Sequence, residues 1–127
     1  MSKKIYLVED DDAIIDIYMT MIKKAGFMVE SLTLGEEVMK KLKNIENGEE
    51  TAPDLILLDL TLPDMNGIEI LKAVKQGTAT KDIAIFVLSN QQTMGETGSD
   101  SVKPEKFIIK ANITPTQLID TIKEQLT

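Results

Sequence analysis

Apolar residues fall in two rhythms along this chain. In the first, short runs are almost unbroken: Lys4–Val8, Asp54–Leu60, Ile83–Leu88 and Phe107–Ile109, each ending abruptly in polar residues. Runs of this length and bounding read as strands covered on both faces. Phe27–Ser31 alternates and reads as a weaker strand. In the second rhythm the apolar positions recur at helical spacing. They are Ile14, Ile15, Tyr18, Met19 and Ile22 within Ala13–Ala25, and Val38, Met39, Leu42 and Ile45 within Gly35–Ile45. Ile68, Leu71 and Val74 follow within Ile68–Lys75, and Leu118, Ile119, Ile122 and Leu126 close the chain. Asp11 or Asp12 is placed to cap the first helix, and Gly26 to end it. Thr114, Pro115 and Gln117 form a capping-box start for the last helix.

The alternation is strand, helix, five times over. It predicts an α/β domain with a parallel sheet and helices on both faces, spanning residues 1–127 as one unit. Right-handed crossovers leave few topologies, and among them the doubly wound, flavodoxin-like strand order 2-1-3-4-5 is expected. One helix is poorly supported. Between the fourth and fifth strands, Gln91–Glu105 contains Gly95 and Gly98, each costing ~1 kcal/mol against alanine inside a helix. Ser99, Asp100 and Ser101 compete for backbone hydrogen bonds, and Pro104 ends any helix before it. Met94 and Val102 are too few for a core stripe. This fourth helix is expected to be short, displaced or partly disordered.

Composition removes several chemistries. The chain has no histidine, cysteine or tryptophan. A disulfide framework, a histidine general base and His- or Cys-ligated zinc are therefore excluded. The net charge is −7, and all 14 basic residues are lysine, which speaks against a nucleic-acid surface. The apolar run after Lys3-Lys4 is too short for a signal peptide, and no run reaches membrane-spanning length. The expected location is the cytoplasm, with no membrane partner.

Polar residues collect where the strands end. Glu9 and Asp10 follow the first strand, Asp59 the third, Ser89 the fourth and Lys110 the fifth. In a parallel sheet these ends share one edge, and order 2-1-3-4-5 sets strands one and three side by side at the switch point. Taken singly, each has a plain reading: Asp10 as a cap, Ser89 as a turn residue, Lys110 as a solvated charge. Taken together they make a site. Three close carboxylates repel, and a hard dication relieves them. An all-oxygen set without His or Cys points to Mg²⁺. A hydroxyl and an ammonium beside a carboxylate nucleophile are the parts for phosphoryl transfer onto Asp59.

The same residues carry a family resemblance. Val8-Glu9-Asp10-Asp11, Asp59 with Pro63 and Gly67, Val87-Leu88-Ser89 and Phe107-Ile108-Ile109-Lys110 resemble the response-regulator receiver domain of two-component signalling. The form is that of a stand-alone, chemotaxis-type receiver. The resemblance implies that Asp59 accepts a phosphoryl group from a histidine kinase or phosphotransfer protein. It implies that Glu9, Asp10, Asp59 and the Thr61 backbone carbonyl hold Mg²⁺, and that Ser89 and Lys110 contact phosphoryl oxygens. It makes Ser89 and Phe107 the switch, and it puts an unidentified downstream protein on the face of the fourth helix, fifth strand and last helix. The chain ends just after the last helix, so output is expected from a partner or a removed segment. Two positions depart from the family pattern: Ala111 stands where proline usually follows the lysine, and Asn90 where a small residue usually follows the serine. A non-proline cis bond costs ~3 kcal/mol, so the pattern leaves the geometry after Lys110 open.

Two other functions compete. A haloacid-dehalogenase-type phosphatase also forms an aspartyl phosphate, but it wants an acid two residues after the nucleophile, where this chain has Thr61. A degenerate receiver would act only as a phosphorylation-independent interaction module.

Overall fold

A computed structural model describes residues 3–90 and 102–127. Among these residues ten elements follow one another: β1 (Lys4–Val8), α1 (Asp12–Lys24), β2 (Met28–Leu32), α2 (Gly35–Glu46), β3 (Leu55–Asp59), α3 (Gly67–Gln76), β4 (Ala84–Ser89), β5 (Lys106–Ile109), a 3-10 turn (Lys110–Asn112) and α4 (Pro115–Leu126). The five strands form one parallel sheet in the order β2-β1-β3-β4-β5. This is the doubly wound arrangement expected. The weak helix expected within 91–105 lies largely outside the described residues. No described helix is long and apolar enough to cross a membrane.

Each face of the sheet has its own core. Tyr6, Val8, Ile56, Leu58, Ile85 and Val87 point to the layer of α2 and α3, where they meet Val38, Leu42, Ile45, Ile70, Leu71 and Val74. Ile5, Leu7, Leu55, Leu57, Phe86 and Leu88 point the other way, onto Tyr18 and Ile22 of α1 and Leu118, Ile119 and Ile122 of α4. Alternate residues on a strand face opposite sides, so a strand covered on both sides is apolar throughout. That is why β1, β3 and β4 appear in the sequence as runs.

The helix ends follow local chemistry. Asp11 caps α1 by accepting from the N–H groups of Ala13 and Ile14, at 2.9 and 3.2 Å. Gly26 takes a φ of +94° just beyond it. Thr114 and Gln117 complete the reciprocal capping box of α4.

Two core assignments need correction. Ile68 is only half-buried, and Ile70 takes its place in the core. Asn66 caps α3, and Gly67 is buried against the end of β3, so Ile70, Leu71 and Val74, at i+3, i+4 and i+7 from it, form the inward face. Met39 sits at the border of the α2 stripe and is 38% exposed.

Gly67 fixes how α3 meets the sheet. A Cβ there would lie 2.7 Å from the Asp59 carbonyl oxygen and 2.8 Å from the Leu60 Cα. Both are backbone atoms and cannot turn aside. Gly67→Ala is expected to cost about 2 kcal/mol through this overpacking. A thermal melt reads it, and an unchanged midpoint would refute the close approach.

Candidate functional site

The ends of β1, β3 and β5 bring together the acids and the lysine that the sequence singled out. Glu9 and Asp59 are almost wholly buried, at 1% and 4% exposure, while Asp10 faces solvent. Carboxylate oxygens of Glu9, Asp10 and Asp59 all come within 4.8 Å of one another. Lys110 reaches across from the far end of the sheet. Its Nζ lies 2.7 Å from Glu9 Oε1 and 3.4 Å from Asp59 Oδ2.

The second Glu9 oxygen accepts from the N–H groups of Asp10 and Asp11, both at 3.2 Å. Glu9 therefore organises the strand-end turn and holds Lys110 at once. Asp59 Oδ1 accepts from the Thr61 N–H at 3.1 Å. Thr61 in turn bridges to Asn66, which closes the Leu60–Asn66 loop. Ser89 is buried at the end of β4, paired in register with Ile109. Phe107 pairs with Val87, is half-buried, and packs against the α2–α3 core. Val87 and Ser89 are two apart on one strand, so Phe107 and Ser89 belong to the same sheet face. After Lys110 the chain makes the 3-10 turn through Ala111, and no peptide bond among the described residues is cis.

Burial dominates the electrostatics. It pushes the Asp59 carboxyl up from 3.8 to about 6, against the lowering hydrogen bond from Thr61; Glu9 adds to the rise and Lys110 opposes it. Burial pulls the Lys110 ammonium down, but the hydrogen bond it donates to Glu9 and the charge of Asp59 outweigh that, and the net shift is upward. A carboxyl with a raised folded-state pKa holds its proton longer in the folded protein than in the unfolded one. Stability is then lost as pH rises through that window. Without metal, the wild-type protein should lose about 1–2 kcal/mol relative to Asp59→Asn between pH 4 and pH 7, after allowance for solvent screening. Melts of both proteins in chelator across this range measure it, and parallel curves would contradict it.

The arrangement suits a hard cation and a phosphoryl group. The acids offer only oxygen, two of them are buried, and one lysine faces two of the three carboxylates.

The response regulator receiver domain family model matches residues 5–123. The chain belongs to the response-regulator receiver family. Among curated relatives, the alkaline phosphatase synthesis transcriptional regulatory protein PhoP of Bacillus subtilis is 31% identical over 84% of this chain and 44% of its own length. The phosphate regulon transcriptional regulatory protein PhoB of Rhizobium meliloti is 29% identical over 99% of this chain and 53% of its own. The chain thus spans about half the length of these relatives. A phosphorylated cyanobacterial phytochrome response regulator, RcpA, superimposes with a TM-score of 0.81 at 31% identity, covering 98% of this chain and 91% of that one. The chemotaxis response regulator CheY4 of Vibrio cholerae shares the fold, with a TM-score of 0.81 at 24% identity over 98% and 99% of the two chains. Membership sets aside the phosphatase reading.

One residue of this receiver domain was not singled out by sequence. Asp64 accepts from the backbone of Gly35 and Glu36, about thirty positions back. The only sequence signal for it is indirect: Leu34 stands before Gly35, where a helix start wants a side chain that can accept a hydrogen bond.

Proposed function

We propose that this receiver domain is a phospho-accepting switch in which Asp59 takes a phosphoryl group from a histidine kinase or phosphotransfer protein. The observation that carries the reading is the meeting of buried Asp59 and Glu9 with Asp10 and Lys110 at one sheet edge. An Asp59 carboxylate oxygen attacks phosphorus, an O–P bond forms, the N–P bond to the donor imidazole breaks, and the imidazole leaves with the electron pair. Lys110 is placed to pair with the phosphoryl oxygens, and Ser89, at the end of the neighbouring strand, to donate a hydrogen bond.

Mg²⁺ fits the donor set. Asp10, Asp59 and the Thr61 backbone carbonyl would hold it. Both oxygens of Glu9 are already engaged, so Glu9 joins only by sharing an oxygen that also accepts from Lys110 or from the turn. When bound, the ion offsets charge on the acids and on the transferring group.

Loss of one Lys110 contact in favour of the phosphoryl group would transmit the event through β5. Ser89 and Phe107 share the face that would respond, with Phe107 moving into burial. A downstream protein would read the surface of β5 and α4. The acidic, arginine-free composition supports a protein rather than a nucleic acid as that partner.

Incubation with acetyl phosphate, with and without Mg²⁺, tests the reading. A Mg²⁺-dependent gain of one phosphoryl mass is expected. No gain in either condition would leave the degenerate, phosphorylation-independent module in its place.

A further inference from the structure

We propose that Asp64 is a positioning residue for the phosphorylation site, which moors the Leu60–Asn66 loop beside Asp59 by capping α2 from outside that helix. The inference deepens the reading of Asp59 as phosphate acceptor and rests on it.

The first N–H groups of a helix have no partner within it. In α2 the residue at the capping position is Leu34, which carries no acceptor. Glu37 reaches back to the N–H groups of Thr33 and Leu34, at 3.0 and 3.2 Å. The next two donors are met by the loop. Gly35 N–H donates to Asp64 Oδ1 at 2.7 Å, and Glu36 N–H to Asp64 Oδ2 at 2.9 Å. A single carboxylate thus caps the positive end of α2, one oxygen to each donor. These two bonds also hold the Asp64 carboxyl below its ordinary range, so it stays charged.

Packing reinforces the tie. The Met65 side chain lies where a Cβ on Gly35 would stand. Glycine at the first turn of α2 leaves the room that the Met65 side chain fills. On its other side the loop is held at the reaction centre: Thr61 N–H bonds Asp59 Oδ1, Thr61 bridges Asn66, and Gly67 N–H donates to the Leu60 carbonyl at 2.9 Å. Those links are local to the strand end. Asp64 and Met65 join the loop to a different layer of the fold. A loop fixed at both sides keeps the Thr61 N–H and carbonyl in place before phosphate or metal arrives, which is what preorganisation requires.

Capping and mooring can be separated. Leu34→Ser supplies an acceptor at the ordinary cap position, so the double variant L34S/D64A restores the cap without the tie. D64A should melt lower than wild type, and L34S/D64A should regain most of that loss. Amide exchange across residues 60–66 should nonetheless be about tenfold faster in both. Mg²⁺ should bind both about three- to tenfold more weakly, somewhat less than when a group bonded directly to a ligand is lost. Exchange at Thr61 unchanged in D64A, or exchange and Mg²⁺ affinity both restored in L34S/D64A, would overturn the mooring. If D64A does not fold, Asp64→Asn, which keeps a single acceptor oxygen, gives the same readings at smaller amplitude. A wild-type protein that neither binds Mg²⁺ nor gains phosphate would instead overturn the acceptor reading, while the exchange rates still decide the mooring.

Discussion

Asp59→Asn is expected to abolish the gain of one phosphoryl mass from acetyl phosphate and Mg²⁺. The amide keeps the size of the side chain but has no anionic oxygen with which to attack phosphorus. No neighbour can stand in for it. Glu9 has both oxygens engaged, one by Lys110 and one by two backbone N–H groups. Asp10 is exposed, and among the described residues no ion pair joins it to a lysine as one joins Asp59 to Lys110. The same substitution should make the metal-free protein more stable at neutral pH, because it removes a buried charge whose pKa is pushed up to about 6. Loss of phosphorylation with a gain in stability is the expected pair. A phosphoryl gain undiminished in Asp59→Asn, measured by intact mass, would move the acceptor elsewhere.

Lys110→Ala should be the single change in the site that costs the most stability. The ammonium is the partner of two buried carboxylates, at 2.7 and 3.4 Å, and its own side chain is 9% exposed. Removing one member of a buried ion pair leaves the other charge uncompensated, at a cost of about 3 kcal/mol. Protonation of the orphaned acids limits the loss, so about 2–3 kcal/mol is expected at pH 7.5, or roughly 10 °C in melting temperature. The sign with pH follows from Asp59. Below pH 6 it takes up a proton and less charge is left unpaired, so the deficit against wild type should shrink as pH falls. Phosphorylation should slow strongly at every pH, since the phosphoryl oxygens lose their cation. Lys110→Met, which keeps the stem, separates packing from charge. If Lys110→Met melted like wild type at pH 7.5, the ion pairs would not be contributing to stability.

Much of this protein is legible from local pattern. Strands buried on both faces must be apolar at every position, so β1, β3 and β4 stand out without any knowledge of their neighbours. Caps are local as well: Asp11 and Thr114 bond to atoms two or three residues away. Where a pattern is short, its phase is ambiguous. Ile68, Leu71, Val74 and Ile70, Leu71, Val74 both fit one face of a ten-residue helix, and the close approach of Gly67 to the end of β3 decides between them.

The sequence by itself determined the fold class, a short list of strand orders once handedness is applied, and the strand ends that carry Glu9, Asp10, Asp59, Ser89 and Lys110. A two-residue alternation or a 3.6-residue period is a property of neighbouring positions, and so is an acid that follows an apolar run. Only the tertiary structure decided which charges meet. Lys110 and Glu9 are 101 positions apart, and Asp64 is 29 from Gly35. The burial that lifts Asp59 towards neutrality depends on how the sheet edge closes over it, and the division of Glu9 between Lys110 and the turn depends on which oxygen each donor reaches. Such contacts form between elements brought together by the whole core, and they have no period along the chain from which they could be read.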